Sequence, residues 1–223
     1  MMNLPLSGLQ SFLLDLEAHN SLEWMHAHKP AYTDARNTFE CLLSALIAQI
    51  GRFDPAVLNL DPHALVGRLN RDTRFSKDKS PYRAAFRAHL SQGGNAPIPV
   101  GYFLQLDGRG CMLGGGLFAS QLPDATARVR AALVEQAKEA GTILDGLRAA
   151  GLAVQGAALQ RVPAGYPADH PLADLLRHKS WFLETSLPFP QGQDLPHWLD
   201  AAGSQFQAMK PWNDFLNRAL DDR

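Results

Sequence analysis

The sequence predicts an α+β fold, and three observations predict it. Apolar residues recur at helical spacing in the first third, apolar and polar residues alternate around a hairpin signal in the middle, and helical spacing returns at the C-terminus. The expected arrangement is a largely antiparallel sheet with N-terminal, central and C-terminal helices packed on it, in one domain over residues 1–223.

Leu9, Phe12, Leu13 and Leu16 fall at i, i+3, i+4 and i+7, and Phe39, Leu42, Leu43, Leu46, Ile47 and Ile50 continue that spacing. Between them, Asn20 followed by Glu23 reads as a capping box, opening a short helix through Trp24 and His28 that ends near Lys29-Pro30.

From Thr73 to about Phe118 the signals are those of strands. Ala84, Phe86, Ala88 and Leu90 alternate with Arg83, Arg87 and His89, which predicts one apolar and one polar strand face. Tyr102–Leu106 and Cys111–Leu113 flank Asp107-Gly108-Arg109-Gly110, whose Asp-Gly step marks a hairpin. A long helix is expected after Pro123, capped or opened by Asp124 and reaching towards Leu147 across Gly141 and Gly146. Short strands are expected near Leu152–Val154 and Leu159–Val162, then a short helix opened by Asp169-His170-Pro171, a strand over Trp181–Leu187, and a closing helix through Trp212, Phe215, Leu216 and Ala219.

At 46% hydrophobic and 19% charged residues, the composition excludes global disorder and fibrous architectures. A formal net charge of -1 argues against a surface coated in basic residues for sequence-independent nucleic-acid binding. Cys41 and Cys111 form neither a Cys-x-x-Cys pair nor a Cys/His finger, so no structural zinc site is expected. With no basic leader and no apolar run of the roughly 20 residues that span a bilayer, the expected location is cytoplasmic, with both cysteines reduced and unbonded.

The information is concentrated in residues 68–87, where Arg68, Arg71, Arg74, Lys77, Lys79, Arg83 and Arg87 face only Asp72 and Asp78. An extended Arg74-Phe75-Ser76-Lys77 puts Arg74 and Ser76 on one face and uses Phe75 as an anchor on the other, with Asp78–Pro81 turning into the next strand. Crowded cations repel, and two aspartates are few to offset them, so a bound anion is one compensation: arginine forks suit phosphate or carboxylate, and Ser76 or Tyr82 adds a hydroxyl. An exposed ion-pair network with Asp72, Asp78 and more distant acids explains the same composition equally well.

Arg68, Arg71, Asp72, Arg74, Phe75, Asp78, Lys79 and Tyr82 match an Arg-x-x-Arg-Asp-x-Arg-Phe stretch followed by Asp-Lys and Tyr, by which the chain resembles the bacterial family called domain of unknown function 2461. The resemblance extends to Asn20, Glu23, Trp24, Lys29 and Tyr32, to Gly114–Leu117, and to Arg161-Val-Pro-Ala-Gly-Tyr, with Met25 where the family usually has an aromatic residue. It carries no particular activity over to this chain.

Other candidates are weaker. Gly114-Gly115-Gly116 lacks a following Gly-Lys-Ser/Thr and suits a bulge or tight strand connection better than a phosphate loop. His19, His26 and His28 do not share a helix face, which disfavours metal, and no Ser/His/Asp triad, Cys/His dyad or carboxylate pair stands out. Lys29 reaches a ligand if its helix covers the sheet, and Arg161 sits with Tyr166, Asp169 and His170 in a Pro/Gly loop.

The expected function is therefore binding of an anionic small ligand bearing phosphate or carboxylate. Arg71, Arg74, Lys77 and Lys79 would clamp charge, Asp72, Asp78 or Tyr82 would orient those groups or handle a proton, and Arg161 completes the candidate set. Arg74 is expected to touch the ligand directly; were it half of a buried ion pair, losing it would cost about 3–5 kcal/mol without ligand. No catalytic residue, metal, cofactor, membrane partner or oligomeric state is assigned. The alternatives are a nucleic-acid-binding module that uses the same basic stretch with Phe75 or Tyr82 for stacking, and a non-catalytic protein-interaction subunit.

Overall fold

The computed structural model describes residues 4–94, 96, 98–118 and 123–221. Among them are eight α-helices and a four-stranded antiparallel sheet of order β1-β2-β3-β4, so the fold is α+β. The strands are β1 (Ala85–Leu90), β2 (Tyr102–Asp107), β3 (Gly110–Leu117) and β4 (Trp181–Pro188). From Phe86 onwards β1 has the expected pleat, with Phe86, Ala88 and Leu90 buried and Arg87 and His89 on the other face half-buried, whereas Arg83 and half-buried Ala84 lie before the strand. The β2–β3 hairpin closes at Asp107-Gly108, where Asp107 Oδ1 accepts from the Arg109 and Gly110 amides at 2.8 and 3.0 Å. No helix among the described residues is long and apolar enough to cross a membrane.

The chain packs as two compact units, the first made of Met1–Leu90, Phe103–Leu113 and Ser186–Gly203. Its centre is α1 (Leu6–Ala18) lying on α3 (Lys29–Ile50). The faces that meet are those read from the sequence, Leu9, Phe12, Leu13 and Leu16 on α1 and Phe39, Leu42, Leu43, Leu46 and Ile50 on α3. Phe86 brings β1 onto them, its ring 5.2 Å from that of Phe39 and 6.3 Å from that of Phe12. Pro30 falls in the first turn of α3, where its missing N–H leaves no helical bond unmade.

The cap of α2 (Leu22–Ala27) differs from the capping box expected at Asn20. Ser21 is the N-cap, and its hydroxyl accepts from the Trp24 amide at 3.1 Å. Asn20 is engaged elsewhere, as described below. A short 3-10 turn (Pro55–Val57) and α4 (Pro62–Leu65) then lead into residues 66–71, which run antiparallel to 82–88 through bridges Val66–Ala88 and Asn70–Tyr82.

The second unit comprises Ser91–Tyr102, Gly114–Thr185 and Ser204–Arg223. In place of one long helix, it contains α5 (Pro123–Glu135) and α6 (Ala137–Ala149), separated at Gln136 (φ -116°, ψ 35°) and not at either glycine. Gly141 and Gly146 both lie inside α6. The strands expected near 152–154 and 159–162 are reduced to single bridges, Gln155–Phe182 and Ala158–His178. The helix predicted from Pro171 starts two residues later, as α7 (Ala173–Leu176), with His170 Nδ1 accepting from the Leu172 amide at 3.1 Å. Arg130 donates to the Leu176 and His178 carbonyls, both at 2.8 Å, and its guanidinium lies 5.9 Å from the Trp181 ring.

The glycine stretch of β3 serves close packing. Gly116 (φ +94°) lies so near β4 that a Cβ there would sit 2.3 Å from the Trp181 carbonyl oxygen. Buried Asn213 accepts from the Gly116 amide at 2.8 Å and donates to the Gly101 carbonyl at 3.1 Å, so β3 is held without side chains of its own at that point. Asn213 belongs to α8 (Leu195–Leu220), a 26-residue helix that starts well before the C-terminal apolar repeat and contains Pro211.

Candidate functional site

The cationic segment folds as a two-stranded ribbon closed by a loop, all within the first unit. Arg71 N–H donates to the Pro81 carbonyl at 2.9 Å and Arg83 N–H to the Leu69 carbonyl at 2.8 Å, flanking the Asn70–Tyr82 bridge. In that register Asn70 and Tyr82 point to one face of the ribbon, and Arg71 and Arg83 point diagonally across the other. Asn20 holds the ribbon's outer edge: its Nδ2 donates to the Tyr82 carbonyl at 2.9 Å and its Oδ1 accepts from the Tyr82 amide at 3.0 Å.

Residues 74–77 are not extended as expected; they belong to a loop over 72–80 whose last part is the turn expected at Asp78–Pro81. Asp72 Oδ1 accepts from the Arg74 amide at 3.1 Å, Asp78 Oδ1 from the Ser80 amide at 2.9 Å, and Lys79 Nζ donates to the Thr73 carbonyl at 2.9 Å. Aspartates that bond the backbone two residues on stabilise turns, and here they satisfy amides that a strand would have offered to a neighbour. Phe75 consequently points outwards and is 95% exposed, so it is not an anchor.

The charges divide into compensated and uncompensated sets. Arg74 pairs with Asp72 at 2.6 Å, both exposed, and the guanidinium lowers the Asp72 pKa. Arg71, whose side chain is only 24% exposed, pairs with Asp78 and lies 3.5 Å from the Ser76 hydroxyl. Hydrogen bonds from Ser80 and Arg71 hold the Asp78 carboxyl well below the usual carboxylate range. Lys77 is exposed. Half-buried Arg83 is uncompensated: its side chain makes no ion pair or hydrogen bond among the described residues, and burial, then the nearby charge of Arg71, depress its pKa.

Arg71 and Arg83 open onto a cleft of about 450 Å³, lined also by Glu17, Asn20, Asp78, Ser80, Tyr82 and Ala84. A smaller cleft of about 230 Å³, which shares Tyr82 with the first, is lined by Met25, His26, Lys29, Tyr32, Leu69, Asn70 and Tyr82. Of the candidates named from sequence, Arg71, Asp78 and Tyr82 line the larger cleft, and Asp72, Arg74, Lys77 and Lys79 are exposed on the loop. Arg161 lies in an exposed loop of the second unit.

Sequence reasoning missed Glu17, Asn20, Ser80 and Arg83. The sequence counts Arg83 in the cationic segment and on a polar strand face but not among the ligand contacts; the signal that could have found it is the pairing of 69–71 with 81–83, which sets it beside Arg71. The early histidines have a packing role, since Trp24 stacks on His28 at 4.1 Å and on His19 at 6.0 Å. Among the described residues no three His, Cys, Asp or Glu side chains are grouped to hold a metal.

Fold and site together define an α+β protein with a paired-arginine cleft on a short antiparallel ribbon. The chain belongs to the family described as "Conserved hypothetical protein (DUF2461)", whose model matches residues 9–215. No curated protein and no solved structure matches the chain.

Proposed function

We propose that this protein binds an anionic small molecule, phosphate- or carboxylate-bearing, in the cleft between Arg71 and Arg83. The observation that carries this reading is Arg83, a half-buried guanidinium beside a second guanidinium and without an acidic partner among the described residues. A cation so placed is disfavoured until an anion meets it, and a guanidinium fork suits a bidentate oxyanion. Arg74, Lys77 and Lys79 contribute long-range attraction in this reading, and Asp78 positions Arg71. We take the protein to work in a bacterial cytoplasm, a setting supported by the family resemblance and by the unbonded Cys41 and Cys111.

The test is thermal unfolding of the wild type and Arg83→Met with graded phosphate, acetate and citrate at constant ionic strength. Saturable stabilisation of the wild type, about 2.7 kcal/mol at a hundred times Kd, should be lost in the variant. An equal response in both proteins would sink the assignment.

One observation favours the nucleic-acid reading as an alternative: Phe75 is almost fully exposed, with the Arg74 guanidinium 5.9 Å from its ring. Binding of single-stranded oligonucleotides that weakens steeply with salt and is lost in Phe75→Ala is the result that reading requires.

A further inference from the structure

The Arg71–Arg83 cleft carries both signs of charge. Arg71 is compensated in place by Asp78, which leaves Arg83 as the surplus cation. Glu17 lines the same cleft, and among the described residues only its Oε1 is engaged, by Arg109 at the hairpin tip at 2.9 Å. Two neutral polar side chains of the cleft are spent on protein partners: Asn20 uses its amide on the Tyr82 backbone, and the Ser80 hydroxyl donates to Asp78 at 2.6 Å.

We propose that the occupant is a small zwitterion, an amino-carboxylate whose carboxylate lies on Arg83 and whose ammonium lies on the open oxygen of Glu17. This rests on the anion-binding reading above. A dianion would bring two negative charges to one surplus cation in the presence of two carboxylates, whereas a single carboxylate matches the fork of Arg83 in charge and shape. An ammonium at the other end turns the repulsion from Glu17 into attraction. A cleft of about 450 Å³ has room for a chain of several carbons between the two ends.

The experiment measures affinity, by calorimetry, for ω-amino acids from glycine to 6-aminohexanoate and for plain carboxylates from acetate to hexanoate. At one chain length the amino acid should bind about tenfold tighter than its plain counterpart, the worth of one charge-assisted hydrogen bond. Glu17→Gln, at a side chain 47% exposed and so tolerant of the change, should tighten the plain acids and erase the amino preference; Arg83→Met should weaken both series. Equal affinities in the two series at every length, or an amino preference that survives Glu17→Gln, overturns the zwitterion while leaving anion binding standing. Failure of both series and of phosphate to bind the wild type overturns both readings.

Discussion

The side-chain amide of Asn20 brackets the backbone of Tyr82, 62 residues further along the chain, donating to its carbonyl and accepting from its amide. One residue at the entrance to α2 thus fixes the outer edge of the ribbon that carries Arg71 and Arg83. Asn20→Ala leaves both Tyr82 groups without that partner, and part-buried groups so stranded cost about 1–3 kcal/mol. Urea unfolding should show that loss. A midpoint unchanged from the wild type would mean that water replaces the amide and that Asn20 does not hold the ribbon.

Arg74 was expected from the sequence either to touch the ligand or to sit in a buried pair whose loss is severe. Its side chain is 78% exposed and that of Asp72 57% exposed, so the buried-pair reading does not hold. Ligand-free Arg74→Met should unfold at the wild-type midpoint, because exposed pairs contribute little. Under the anion reading it should lower the rate of anion association at low salt more than it changes the dissociation rate, which stopped-flow measurements resolve.

Arg83 should behave in the opposite way to a stabilising ion pair. Arg83→Met removes a half-buried charge repelled by Arg71 while keeping much of the stem's packing, so the ligand-free variant should unfold at or above the wild-type midpoint. A marked drop would reveal a structural role for the guanidinium.

Two glycines offer a matched contrast within the second unit. Gly116→Ala places a methyl group 2.3 Å from a carbonyl oxygen at φ +94°, and should cost roughly 3 kcal/mol or more. Gly141→Ala meets nothing within 4 Å inside α6 and should stabilise by up to about 1 kcal/mol. Thermal unfolding of the two variants checks both signs.

The two cysteines should separate by accessibility. Cys41 is exposed and should alkylate in the native protein, whereas buried Cys111 should react only on unfolding, as mass spectrometry of labelled protein will show. Burial pushes the Cys111 thiol up to about 12 from an ordinary value of 9.0, so the unfolded chain loses this proton first. The Cys111 contribution to stability is therefore complete below about pH 9 and is lost as pH rises towards 12, a decline that Cys111→Ala should reduce.

Much of the fold was legible because its signals are local. The apolar stripes of α1 and α3, the alternation along β1 and the Asp107-Gly108 hairpin each depend on residues within a few positions of one another, and all appear where the spacing put them. The same local reading failed at residues 74–77, expected to be extended, where Asp72 accepts from the Arg74 amide and Lys79 donates to the Thr73 carbonyl within a loop. It failed again at Gln136, where the helix breaks although both neighbouring glycines continue it; the structure offers no packing reason for the position of that break.

By itself the sequence determined that this protein is α+β, that its cations crowd into residues 68–87, and that the crowding needs compensation. Only the tertiary structure decided which arginine of the cleft lacks it. Asp78 returns across the loop to Arg71 and Asp72 pairs with Arg74, while Glu17 reaches Arg109, 92 residues away, leaving Arg83 without an acid among the described residues. Pairing of charges depends on separation in space, and with a Debye length of about 8 Å in physiological salt, neighbours in sequence say little about which charges remain unscreened and unmet.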